Sequence, residues 1–129
     1  MRYSIALVML LLSLTACGST VEDVQATPVA LTMKVPATWD SVATCIAQFY
    51  MSTNVTSYLP VASEQRAKVI VKFVGGGVVP YVSILFVFEI AGGNPTTVVM
   101  RQAQGGSSAN QNKTARDLIE RCGKGANAL

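Results

Sequence analysis

Residues 81–90 constrain the fold more than any other stretch of this chain. The even positions Val82, Ile84, Phe86, Phe88 and Ile90 are all large and apolar, whereas the odd positions Tyr81, Ser83, Leu85, Val87 and Glu89 are mixed. Apolar, β-branched and aromatic residues at a period of two predict a central strand with one continuous core face. Such a strand needs neighbours, and four segments qualify. Residues 53–61 are rich in β-branched and aromatic side chains and end near Pro60, which suits a sheet edge. Residues 66–74 set Val69, Val71 and Phe73 against Lys68, Ile70 and Lys72, and residues 96–103 form a further strand. Residues 29–35 read as a half-buried strand stopped by Pro36, or otherwise as an extended linker. Gly75-Gly76-Gly77 and Gly92-Gly93-Asn94-Pro95 stand where the chain must turn. The glycine triplet does not resemble a phosphate cradle, because Val78-Val79-Pro80 and another strand follow it rather than a helix.

Two amphipathic helices flank these strands. Thr38 occupies an N-cap position with Asp40 in the first turn, followed by Trp39, Val42, Ala43, Ile46, Phe49 and Tyr50 as one broad stripe, with Cys45 on its flank. Trp39 reads as a core anchor rather than a stacking platform for a ligand. After a Gly/Ser loop, Ser108 or Asn110 caps a last helix with Ala115, Leu118, Ile119 and Cys122 on one stripe. Gly123 stands at the C-terminal cap position. These elements predict an α+β fold, an antiparallel sheet of four to five strands with two helices packed on one face.

The chain opens with Met1-Arg2-Tyr3 and the apolar run from Ile5 to Leu12, a layout of charged start, apolar centre and small-residue exit that belongs to a secretory signal. The run is roughly half of the ~20 residues that a spanning helix needs. Leu14-Thr15-Ala16-Cys17 follows, and this tetrapeptide resembles the lipobox of bacterial lipoproteins. The resemblance covers only about the first 18 residues. It implies acylation of the Cys17 thiol, cleavage between Ala16 and Cys17, and acylation of the new amine. Stable anchoring takes more than one acyl chain. The alternative is a soluble secreted protein with an unrelated cysteine. Gly18-Ser19, with no aspartate after the cysteine, implies the outer membrane in a Gram-negative envelope, with the domain expected to face the periplasm. The expected organisation is a signal peptide over residues 1–16, a flexible tether over 17–28 and one small α+β domain over 29–129.

The chain holds three cysteines and no histidine. With Cys17 lipidated, Cys45 and Cys122 remain as an even pair in an exported protein, where disulfides persist. Their bond would staple helix to helix and close a loop of about 78 residues, worth roughly 4–5 kcal/mol in the chain-entropy description. Two thiols and no imidazole do not fill a zinc shell, and no metal or other cofactor is expected. The formal net charge of +3 is too small and scattered for a nucleic-acid binder.

The seven acidic residues are dispersed, and no serine or cysteine has a histidine to activate it. Glu89 alone is unusual, on an otherwise apolar strand, and reads as an outward charge rather than a general acid. A non-enzymatic protein is therefore expected. Tyr81, Leu85, Val87 and Ile70, with Lys68 and Lys72, share the sheet face turned away from the helices and form the candidate partner-docking surface. The expected function is a membrane-anchored lipoprotein that binds an envelope protein, of assembly, accessory, inhibitor or immunity type. The alternative is a binder of a lipid or other apolar small molecule.

Overall fold

The computed structural model describes residues 20–75, 78, 81–103 and 109–125. Residues 1–16, expected as a signal peptide, and Cys17, Gly76, Gly77 and Ser108 lie outside them.

Five antiparallel strands form one sheet: β1 (Leu31–Val35), β2 (Val55–Val61), β3 (Arg66–Gly75), β4 (Tyr81–Ala91) and β5 (Thr96–Gln102), in the spatial order β1-β5-β4-β3-β2. The stretch that suggested a central strand is central, with β5 on one side and β3 on the other. The uncertain segment before Pro36 is an edge strand, paired to β5 from Leu31↔Met100 to Val35↔Thr96. Two long helices, α2 (Trp39–Met51) and α3 (Ala109–Gly123), pack on one face. Between helices and sheet, Ile46, Leu118, Ile119, Phe88, Ile90 and Met100 are fully buried. Tyr50 packs against Phe49, Phe86 and Phe88 at ring separations of 5.1–5.8 Å. Burial pushes its hydroxyl up to about 12.

A disulfide joins Cys45 of α2 to Cys122 of α3, with an S–S distance of 2.04 Å and the Cα atoms 5.6 Å apart. The link from β1 to α2 is tied down as well. Ala37 N–H donates to the Gly123 carbonyl at 3.1 Å, and the Thr96 hydroxyl donates to the Ala37 carbonyl at 2.7 Å.

Several local expectations are corrected. Residues 20–27, expected within a flexible tether, form a helix, α1 (Val21–Gln25), closed by a capping box. The Thr20 hydroxyl accepts from Asp23 N–H at 3.2 Å, and Thr20 N–H donates to the Asp23 carboxylate at 2.9 Å. The Thr20 backbone N–H, and after it the Thr20 side chain, hold the Asp23 carboxyl below its ordinary value. Gly123 is the last helical residue rather than the left-handed cap, a conformation that Gly125 supplies at φ +75°. Gly123 is required for a different reason: a Cβ there would lie 2.4 Å from the Cβ of Val35. Thr38 is at the N-cap position but its hydroxyl caps no backbone N–H. It instead serves Asp40, whose carboxyl it and Ser41 N–H hold low. Asn110 lies inside α3 rather than capping it.

Strand β4 also departs from strict alternation. Val71 pairs with Phe86 but Lys72 pairs with Ile84, leaving Leu85 as an extra residue. Such a bulge exchanges the faces of everything beyond it. Phe86, Phe88 and Ile90 therefore reach the main core, whereas Ile84 joins the opposite face and Leu85 packs toward the helices.

Candidate functional site

The sheet face away from α2 and α3 is built from Thr97, Val99 and Arg101 of β5, Ile84, Val87, Glu89 and Ala91 of β4, alternate residues from Arg66 to Lys72 of β3, and Val55, Ser57, Leu59 and Val61 of β2. It is covered unevenly. At its upper end α1 inserts Val24, fully buried, against Ile70, Ile84 and Val87, with Val21 and Ala103 beside them. Arg101 fastens the end of α1 by donating from Nη1 to the Thr27 carbonyl at 2.5 Å, and the Thr27 hydroxyl donates to the Val24 carbonyl at 2.6 Å.

That helix corrects the candidate docking surface. Ile70 is 6% exposed and Val87 fully buried, so α1 takes up the centre of the surface. Leu85 belongs to the helix side because of the bulge. The Tyr81 side chain lies outside the described residues. Lys72 is half-buried where β2 ends. Only Lys68 reaches the part of this face that remains open.

The open part is the lower end, a groove of about 560 Å³. Its apolar surface comes from Leu59, Val61, Ala91 and Val99, while Glu64, Arg66, Lys68 and Glu89 bring both signs of charge. Lys68 and Glu89 are register partners on adjacent strands. One rim is set by the short 3-10 turn Ala62–Glu64, which reverses the chain through Gln65 at φ +51°, ψ +46°. Gly92 N–H donates to the Gln65 carbonyl at 2.6 Å, and a side chain at Gly92 would collide with both Gln65 and Trp39. Trp39, half-buried against the core, thus also supports this corner.

Edge strand β2 carries the largest apolar exposure on this face. Val55, Leu59 and Val61 are 44–54% exposed, and all three point the same way. Sequence reasoning missed them because it placed the docking face on β3 and β4. The available signal was the parity of residues 55, 59 and 61 against Pro60 on an edge.

Chemically, the groove offers two carboxylates, two cations and the Thr97 hydroxyl around an apolar floor. That composition suits recognition of an amphipathic protein segment. Among the described residues, no group of three or more His, Cys, Asp or Glu could hold a metal ion, and no helix is long and apolar enough to cross a membrane. No family model, curated protein or solved structure matches the chain.

Proposed function

We propose that this chain is a non-enzymatic lipoprotein of the cell envelope, anchored in the outer membrane through acylated Cys17 and facing the periplasm, whose domain binds a protein partner in the open groove on the outer sheet face. The observation that carries the binding half is the row Val55, Leu59 and Val61, exposed on an edge strand beside a groove lined by both charge signs. An exposed apolar row with a polar rim has the make-up of a protein interface. The anchoring half is supported by the lipobox resemblance of Leu14-Thr15-Ala16-Cys17.

The alternative, a lipid or other apolar small molecule held between helices and sheet, has less support. Side chains as large as Phe88, Ile46 and Leu118 are fully buried in that layer, and the disulfide ties the two helices above it together.

Site-specific photo-cross-linking in intact envelopes tests the binding half. Probes at Leu59 and Val61 are expected to capture one and the same envelope protein, and a probe at exposed Thr44 on α2 is expected to capture none. Equal capture from both faces, or none from Leu59 and Val61, would overturn the assignment.

A further inference from the structure

The sheet ends in two unlike edges. β1 is five residues long, lies between Pro28 and Pro36 and carries Lys34 exposed to water. A short strand, a lysine and flanking prolines are usual defences against pairing with another chain. β2 is seven residues long, and no charged residue stands between Asp40 and Glu64. Among the described residues, no strand pairs with its outer side.

The hydrogen bonds fix which backbone groups that side presents. Gly92 N–H donates to the Gln65 carbonyl at 2.6 Å, and Ala103 N–H to the Leu85 carbonyl at 3.0 Å. Backbone groups alternate from side to side along a strand. From Gln65, residues Ala67, Val69 and Val71 face β4, so Arg66, Lys68, Ile70 and Lys72 face β2. Leu85 faces β5, which turns Phe86, Phe88 and Ile90 toward β3 and gives the same assignment. The register partners Val61, Leu59, Ser57 and Val55 therefore face β3. Thr56 and Tyr58 aim N–H and C=O out of the sheet. Pro60 aims its C=O there and has no N–H to leave unpaired.

We infer that this edge pairs with the β2 edge of a second copy, antiparallel about a twofold axis at Ser57. The inference goes beyond the groove reading and rests neither on it nor on the lipid anchor. A second copy is singled out because the strand is its own complement in one register. With the axis at Ser57, Thr56 of each copy meets Tyr58 of the other, and each pair exchanges both N–H···O bonds. An axis at Tyr58 would set Thr56 against Pro60, which has no N–H to give. An axis at Thr56 would set Tyr58 against Asn54, whose N–H is spent on the Tyr50 carbonyl at 2.8 Å. In the favoured register Val55, 54% exposed, lies opposite Leu59 of the other copy, 49% exposed. Those apolar pairs and the Ser57 pair occupy the closely spaced sites of the ladder, and no like charges are opposed. Val61 falls outside the paired stretch, so the groove keeps its mouth. One strand pair is smaller than a standard interface, and the association is weak in dilute solution.

Cysteine cross-linking of the full chain in intact cells tests the pairing. Ser57→Cys sets two thiols face to face at the axis, at a Cα spacing that a disulfide accepts. Expected with a mild oxidant is a reducible species of twice the chain mass, joined 57 to 57. Val61→Cys stands about 27 Å from its counterpart in this register and is expected to give none. Val55→Lys with Leu59→Lys, added to Ser57→Cys, opposes like charges and is expected to cut the linked species roughly tenfold, with circular dichroism unchanged. Val55→Glu with Leu59→Glu is expected to do the same, and production of both chains together to restore the product. A folded Ser57→Cys chain that stays monomeric, or equal linking from Val61→Cys, overturns the proposal. Linkage of Ser57→Cys to a different protein assigns the edge to that protein and overturns it as well.

Discussion

The two faces of the sheet are buried by different means. The inner face lies under helices of 13 and 15 residues joined by a disulfide, and its aromatic and aliphatic side chains form one continuous cluster. The outer face is covered by a helix of five residues whose one fully buried side chain is Val24, and its lower half stays open. Yet β4 is strongly apolar on both sides, with Val87 as completely buried as Phe88. Burial of a strand residue thus says little about how firmly it is covered. If inner coverage is integral and outer coverage a local addition, perturbing the first must unfold the domain, and perturbing the second must open one edge of it.

Loss of the disulfide is the largest expected effect. A bond across a sequence separation of 77 residues restricts the unfolded chain by roughly 4–5 kcal/mol. That is a large part of the net stability of a domain this size. Replacing both Cys45 and Cys122 by alanine is expected to lower the unfolding free energy in urea by up to that amount, with the two helices lost together with the sheet in one transition. Separate loss of helical signal, with the sheet intact, would mean that the inner layer is no more integral than α1.

Next comes Gly123→Ala. In an ordinary helix interior this change stabilises by about 1 kcal/mol. Here the new Cβ would stand 2.4 Å from the Val35 Cβ. The obstacle is an atom next to the backbone, so it cannot swing aside. Overpacking of this kind typically costs about 1–3 kcal/mol, and the upper end of that range is expected. Chemical denaturation reads it directly. Truncating Val35 to alanine is not expected to rescue the variant, because the nearest atom remains in place. A stabilised Gly123→Ala protein would show that α3 does not approach β1 as closely as described.

How much of this was legible from the residues follows the same divide. The inner layer could be read because long elements repeat their signal. Two stripes at helical spacing, one strand of alternating bulk and an even cysteine pair all agree on a single packing. The outer layer could not be read in that way. A five-residue helix is too short for periodicity to register, and its one cue, Thr20 with Asp23 three residues on, also fits a polar tether. The bulge at Leu85 leaves no mark in composition, since Ile84, Leu85 and Phe86 are apolar whichever way each points. The candidate docking surface consequently fell on residues that α1 and the bulge withdraw, while the exposed row on β2 went unread. Which residues stay open depends on what a neighbour in space covers, and periodicity along the chain does not encode that.

The two layers should also respond to opposite ends of the pH scale. On the inner side, the fold raises the Tyr50 hydroxyl from 10.0 to about 12. The neutral phenol is the form that the fold prefers, so its contribution is fully present below pH 10 and lost as pH rises towards 12. A shift of that size corresponds to roughly 2–3 kcal/mol at the alkaline extreme. Other tyrosines and lysines titrate there too, so the measurement is a difference: Tyr50→Phe should flatten the fall in stability between pH 10 and 12. An unchanged slope would place the phenol in water.

On the outer side the relevant group is Asp23, whose carboxyl is lowered by its bonds to the Thr20 backbone and hydroxyl. A lowered carboxyl contributes above its ordinary value of 3.8 and loses that contribution as pH falls through the folded value. Asp40 follows the same rule at the start of α2, but that helix is also held by the core and the disulfide. Acid is therefore expected to loosen α1 first. Thr20→Ala removes the cap at neutral pH, at about 1 kcal/mol, which is a roughly fivefold increase in local opening. Hydrogen exchange at Ala26 and Thr27 amides, bonded to the carbonyls of Glu22 and Val24 at 3.0 and 3.1 Å, reports that opening. The expected result is faster exchange at those two positions, no change at Val69 or Phe88, and a midpoint of thermal unfolding within about a degree of the parent. If the thermal midpoint instead fell as far as it does in Gly123→Ala, α1 would be part of the cooperative unit. The contrast between a stapled layer and a local cover would then fail, because all five residues of α1 would be unfolding with the core.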